Sequence, residues 1–120
     1  MPKGIKSKRK MNELRKKEFL SSETVTIFRY FETPDLHSSH TSTYYDINTQ
    51  TGELTETDIE DRDIFIRPGS RSVYKRLITY DQLYRSLKFY HAENLDIYLQ
   101  LNQDNFREWL DENWEIYRDY

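Results

Sequence analysis

A chain of 120 residues without a cysteine excludes disulfides and thiolate metal sites. A mean hydropathy of −0.97 comes with no apolar run near the roughly 20 residues a membrane-spanning helix needs. The net charge of −3 divides unevenly: residues 1–17 hold eight cations against Glu13 alone, a net +7, and residues 18–120 hold ten basic and twenty acidic side chains, a net −10.

The aromatic content is high, with ten tyrosines and two tryptophans. It argues against wholesale disorder and for a core built from rings, because Tyr buries area while keeping its hydroxyl at a wet edge. The basic N-terminus lacks the apolar region of a secretory signal, so the expectation is a soluble, cytoplasmic protein without membrane association. Residues 1–20 read as a basic, flexible arm or short helix, and residues 21–120 as a single α+β domain. Its expected architecture is a small antiparallel sheet of about five to six strands packed by two C-terminal helices.

In chain order, residues 1–10 offer nothing to bury, and residues 11–20 suit a short helix with Met11 and Leu14 on one side, marginal in isolation. Thr24 to Phe31 is rich in β-branched and aromatic residues and predicts a strand, with Val25, Ile27 and Phe31 on one face and Thr26, Phe28 and Tyr30 on the other. Thr33-Pro34-Asp35 ends it, and a polar loop follows. Thr41 to Ile47 alternates as a second strand, and Gly52 suits the left-handed position of a hairpin loop. Glu53 to Thr57 predicts a thin edge strand with only Leu54 to bury. Glu56 to Asp63 is strongly acidic. Asp63 to Arg67 predicts a short strand, Pro68-Gly69-Ser70 a turn, and Ser72 to Ile78 a further strand.

Thr79 reads as the N-cap of a helix through Tyr90 whose Tyr80, Leu83, Tyr84 and Leu87 form the core face. His91 at its end suits the helix dipole. Leu95, Ile97, Leu99 and Leu101 alternate with polar residues and favour a strand, although Leu95 and Leu99 also have helical spacing. From Asp104 to Tyr120, Phe106, Trp109, Leu110, Trp114, Ile116 and Tyr117 share one face at helical period, with Asp104 or Asn102 as cap. This is the core-closing helix, and Asn113 within its apolar face reads as a satisfied buried amide.

Function is less legible. Lys3, Lys6, Lys8, Arg9, Lys10, Arg15, Lys16 and Lys17 form the clearest candidate site, since clustered cations neutralise phosphates and release counterions in a sequence-independent, salt-sensitive way. The segment can equally be a solubilising tail or fold against the acidic body. A second basic island, Arg67, Arg71, Lys75 and Arg76, lies in a stretch without acids. Its Arg67–Ser72 turn has the guanidinium and hydroxyl chemistry of a phosphate contact, and Tyr74 can stack a base if exposed. The same arginines can instead answer the acids of residues 53–63.

Glu108, Asp111, Glu112 and Glu115 form an acidic helix face that fits a basic protein partner; a solvated face is the plainer reading. His37 and His40 have H-x-x-H spacing on a loop without a third fixed ligand, so neither metal nor cofactor is expected. The chain lacks a cysteine nucleophile, a G-x-S-x-G elbow and a phosphate-binding loop. A cluster of Asp58, Glu60 and Lys75 is conceivable for a nuclease, but nothing selects it, and no enzyme is expected. The sequence therefore points to a nucleic-acid-binding accessory or regulatory protein. The alternative is a protein-interaction module or inhibitor, and homo-oligomerisation follows if the aromatic stripe is too wide for its own sheet.

Overall fold

The computed structural model describes residues 13–18, 20–32, 40–62 and 70–117. Four nine-residue strands, β1 (Thr24–Glu32), β2 (His40–Asn48), β3 (Leu54–Arg62) and β4 (Ser70–Ile78), form an antiparallel meander in the order β1-β2-β3-β4. Helices α1 (Tyr80–Phe89), α2 (Leu95–Tyr98) and α3 (Phe106–Tyr117) follow, and residues 13–18 and 20–21 are also helical. The class is α+β, as expected, but with four described strands rather than five to six. The strand expected over 63–67 and the Pro68-Gly69 turn lie outside the described residues.

The strand expected over 95–101 is instead the short helix α2 and the turn that follows it. Tyr98 and Leu101 are buried and Leu95 is half-buried, whereas Leu99 is 42% exposed. Burial thus follows a three-residue step, and Tyr98, which strict alternation sends outward, donates its hydroxyl to the Ile27 carbonyl at 2.6 Å.

Cross-strand rows define the covered face: Val25, Ile47, Leu54 and Ile78 in one, Phe28, Tyr45, Glu56 and Arg76 in the next, and Tyr30, Thr43, Asp58 and Tyr74 beyond. A bulge between Thr26 and Phe28 corrects the predicted faces of β1. The inserted residue lets both Ile27 and Phe28 be buried and moves Phe31 to the opposite face, beside Arg29.

β3 is an interior strand, not the thin edge expected, because its carboxylates have partners. Thr43 Oγ1 donates to Asp58 Oδ1 at 2.8 Å, Arg76 Nε to Glu56 Oε1 at 2.8 Å, and Arg71 Nε to Asp61 Oδ1 at 2.7 Å. The β2–β3 loop closes on Asn48, whose side chain accepts from the Gln50 and Thr51 backbones. Gly52 there has φ +76°, and an added Cβ would lie 2.7 Å from Phe106 Cδ1, so both conformation and space require glycine.

Thr79 and Gln82 form a reciprocal capping box on α1. At its other end His91 takes φ 53°, and its N–H donates to the Lys88 carbonyl while that of Ala92 donates to Leu87. This is a Schellman motif with histidine in the left-handed position. The aromatic stripe of α3 is buried at Phe106, Trp109, Leu110, Trp114 and Tyr117, and the helix lies against β1. The chain covers its own stripe, which removes the argument that its width demands a second copy. Asn113 Nδ2 donates to the Trp109 carbonyl at 3.0 Å, the satisfied amide expected. Asn102 caps the turn before α3, accepting from Asp104 and Asn105.

Several phenols are held inside this packing. Burial, and then Tyr84, pushes Tyr80 from 10.0 up to about 12, and its hydroxyl donates to the Gly52 carbonyl at 2.7 Å. Burial, and then Asp111, raises Tyr117 further. Burial also raises Tyr45, with the Ser86 hydroxyl opposing and Glu56 adding to the shift. Groups whose folded pKa is raised contribute stability that is complete below the unfolded value of 10.0 and is lost as pH climbs through the folded values. Alkaline unfolding is therefore expected to begin above about pH 10, with the phenolate absorbance of the buried Tyr45, Tyr80 and Tyr117 and the loss of circular dichroism rising in one cooperative step. Titration of all ten tyrosines near pH 10 with the fold intact would contradict this.

Candidate nucleic-acid interface

Among the described residues, the predicted cations are distributed rather than gathered. Lys3, Lys6, Lys8, Arg9, Lys10 and Arg67 lie outside the described residues. Arg15 and Lys17 are exposed on the N-terminal helical segment, while Lys16 Nζ lies 2.9 Å from Asp111 Oδ1 on α3. Leu20 packs at the core margin. Among the described residues, the segment is anchored to the acidic helix by the Lys16–Asp111 ion pair and to the core by Leu20, and an open cleft lined by Leu14, Lys17 and Ser21 runs beside Asp111.

The second island is split by strand alternation. Arg71 and Lys75 lie on the face opposite the helices; Arg76 lies on the covered face. Arg71 grips Asp61 through Nε at 2.7 Å and Nη2 at 3.3 Å, and that pairing raises its pKa. Arg76 is held high in the same way by Glu56. These two arginines answer the acids of β3, the structural alternative that the sequence left open, rather than standing free for phosphate. The Asp58, Glu60 and Lys75 grouping is also broken, since Lys75 pairs with Thr57 in register and points away from the row of Asp58. His37 lies outside the described residues, and His40 is described only as backbone of β2.

On α3, Glu108, Glu112 and Glu115 are exposed, and Asp111 is taken by Lys16. Tyr74 is exposed on β4, as a stacking residue must be, but on the covered side of the sheet, beyond the reach of the helices.

The open face holds residues that sequence reasoning missed. Arg29, Tyr44, Thr57 and Lys75 form one row across all four strands, and Phe31, Ser42, Ile59 and Val73 the next. The Arg29 guanidinium lies 3.6 Å from the Phe31 ring centroid and 5.2 Å from that of Tyr44, a cation–π arrangement. The only signal that finds this trio is the β1 register, which the bulge hides.

The chain is thus an α+β protein with one sheet face closed by helices and the other open, cationic and aromatic. No protein-family model, curated protein or solved structure matches it. No helix among the described residues is long and apolar enough to cross a membrane.

Proposed function

We propose that the protein is a non-enzymatic, cytoplasmic nucleic-acid-binding accessory or regulatory factor that contacts phosphates through its basic N-terminal segment. The observation that carries this reading is the charge segregation, a net +7 over residues 1–17 against a net −10 over the rest. The anchoring of Lys16 on Asp111 supports it in a particular way. One cation of the helical segment fixes its position, and the exposed Arg15 and Lys17 on the same segment remain for a polyanion. Recognition would be of backbone rather than base sequence, with affinity falling steeply as salt rises.

Replacing Lys8, Arg9 and Lys10 together by Ala is expected to weaken duplex binding uniformly across sequences. It should reduce the slope of log affinity against log salt by roughly 2–3, about 0.9 for each phosphate no longer neutralised. A triple variant that binds as wild type removes the segment as the contact. The exposure of Glu108, Glu112 and Glu115 favours the second reading, a module that docks a basic protein through α3. Under that reading the triple variant leaves nucleic-acid affinity unchanged because there is none to lose.

A further inference from the structure

We infer that the open face of the sheet is a binding site for single-stranded nucleic acid, with Phe31 and Tyr44 as the stacking surface and Arg29 and Lys75 as the phosphate contacts. This deepens the nucleic-acid reading and rests on it. Phe31 is 52% exposed on the edge strand β1, a ring presented to solvent with the Arg29 guanidinium close against it. Arg29 forms no side-chain hydrogen bond or ion pair among the described residues, and its Nε is buried without a partner. Its charge is oriented by the rings and left uncompensated. Lys75, at the other end of the same row, forms no ion pair among the described residues either.

Three strand spacings separate the two cations, about 14 Å, and Tyr44 and Thr57 floor the space between them. Among the described residues this face carries Arg29, Arg71 and Lys75 against Asp46 and Asp61. Asp61 is paired with Arg71, and Asp46, which accepts from Thr26 Oγ1 at 2.5 Å, keeps its charge and leaves a surplus of one cation. The face therefore presents positive charge and accessible π-surface together. Single strands offer both complements, phosphates and unpaired base faces. A duplex offers only the phosphates, because its base faces are already stacked on one another. An acidic protein segment would satisfy the cations but would leave the exposed ring without a matching planar surface.

The test is fluorescence anisotropy of the full chain with a labelled twelve-nucleotide oligo-dT and with a labelled blunt-ended duplex of about twelve base pairs, which has no unpaired bases. Four variants are compared with wild type: Phe31→Ala, Phe31→Tyr, Lys75→Ala and the Lys8/Arg9/Lys10→Ala triple. Phe31→Ala is expected to weaken oligo-dT binding about tenfold or more, the scale of removing one base–aromatic stack, while leaving duplex binding unchanged. Phe31→Tyr restores the affinity. Lys75→Ala lowers the salt slope on oligo-dT by about one; its exposed side chain makes misfolding no explanation for a loss.

If Phe31→Ala and Lys75→Ala bind oligo-dT as wild type while the triple variant loses both probes, the sheet face is overturned and the N-terminal contact stands. Loss with the face variants but not with the triple variant supports the face and removes the N-terminal contact. A dimer in light scattering that Phe31→Ala dissolves would assign the face to a second copy and overturn the proposal. No binding of oligo-dT by wild type at low salt overturns it together with the nucleic-acid reading.

Discussion

Trp109→Ala should destabilise the protein by about 3–5 kcal/mol, the usual cost of truncating a buried indole to a methyl group. Trp109 is buried within the aromatic layer that joins α2 and α3 to the sheet. Its ring lies 5.8 Å from that of Tyr117 at an interplanar angle of 11°, and 5.4 Å from that of Tyr98. Its Nε1 donates to the Ile97 carbonyl at 2.9 Å. Truncation would open a cavity, leave a carbonyl of α2 without its indole donor, and loosen Tyr98, whose own hydroxyl holds the β1 bulge. Domains of this size are stable by about 5–15 kcal/mol in total, so the variant should lose about a fifth or more of its urea resistance. A shift below about 1 kcal/mol, well under the usual cost of such a truncation, would mean that α3 does not close the core.

The second large effect is expected from Arg76→Ala, at about 1–3 kcal/mol, the cost of stranding a buried acceptor. The pair is asymmetric: the Glu56 side chain is 8% exposed and that of Arg76 61%. Removing the arginine leaves a buried carboxylate without its main donor, beside the Tyr45 phenol that burial already keeps neutral. Removing the glutamate leaves a guanidinium that water solvates. Arg76→Ala should therefore cost more than Glu56→Met, and the double variant should recover part of the loss, because paired removal avoids an orphaned charge. Equal losses in the two single variants by denaturant titration would refute this asymmetry.

These two residues also show what is legible in the sequence. The α3 stripe is visible because a helix repeats its face every three to four residues regardless of its neighbours. Trp109 can thus be placed in the core before any partner is known. Thr79 and Gly52 are equally plain, since capping and left-handed turns are local chemistry. Arg76 is harder. Its partner Glu56 is adjacent only through the β3–β4 register, and a strand bearing Glu56, Asp58 and Glu60 does not look like the interior of a sheet.

The bulge at Thr26/Phe28 has the largest consequence for function. One extra residue inverts every side chain beyond it, so strict alternation puts Phe31 beside Val25 and Ile27, whereas it lies with Arg29 on the open face. The Leu95–Leu101 alternation misleads for a related reason. Four alternating aliphatics carry a strand period by composition, but the hydroxyl of Tyr98 and the indole of Trp109 fix that segment from other elements. The basic segment is legible as charge; its tie to α3 through Lys16 and Asp111 joins residues far apart in sequence.

The most direct measurement is the affinity of the full chain for a labelled DNA duplex and a labelled single strand at two salt concentrations, repeated without residues 1–12. Binding at low salt is expected to fall steeply between about 50 and 200 mM salt, with duplex affinity strongly weakened on truncation, since only Arg15 and Lys17 of the segment's contacts remain, and single-strand affinity less affected. Absence of binding to either probe at low salt would contradict it and leave the acidic face of α3 as the surface to pursue.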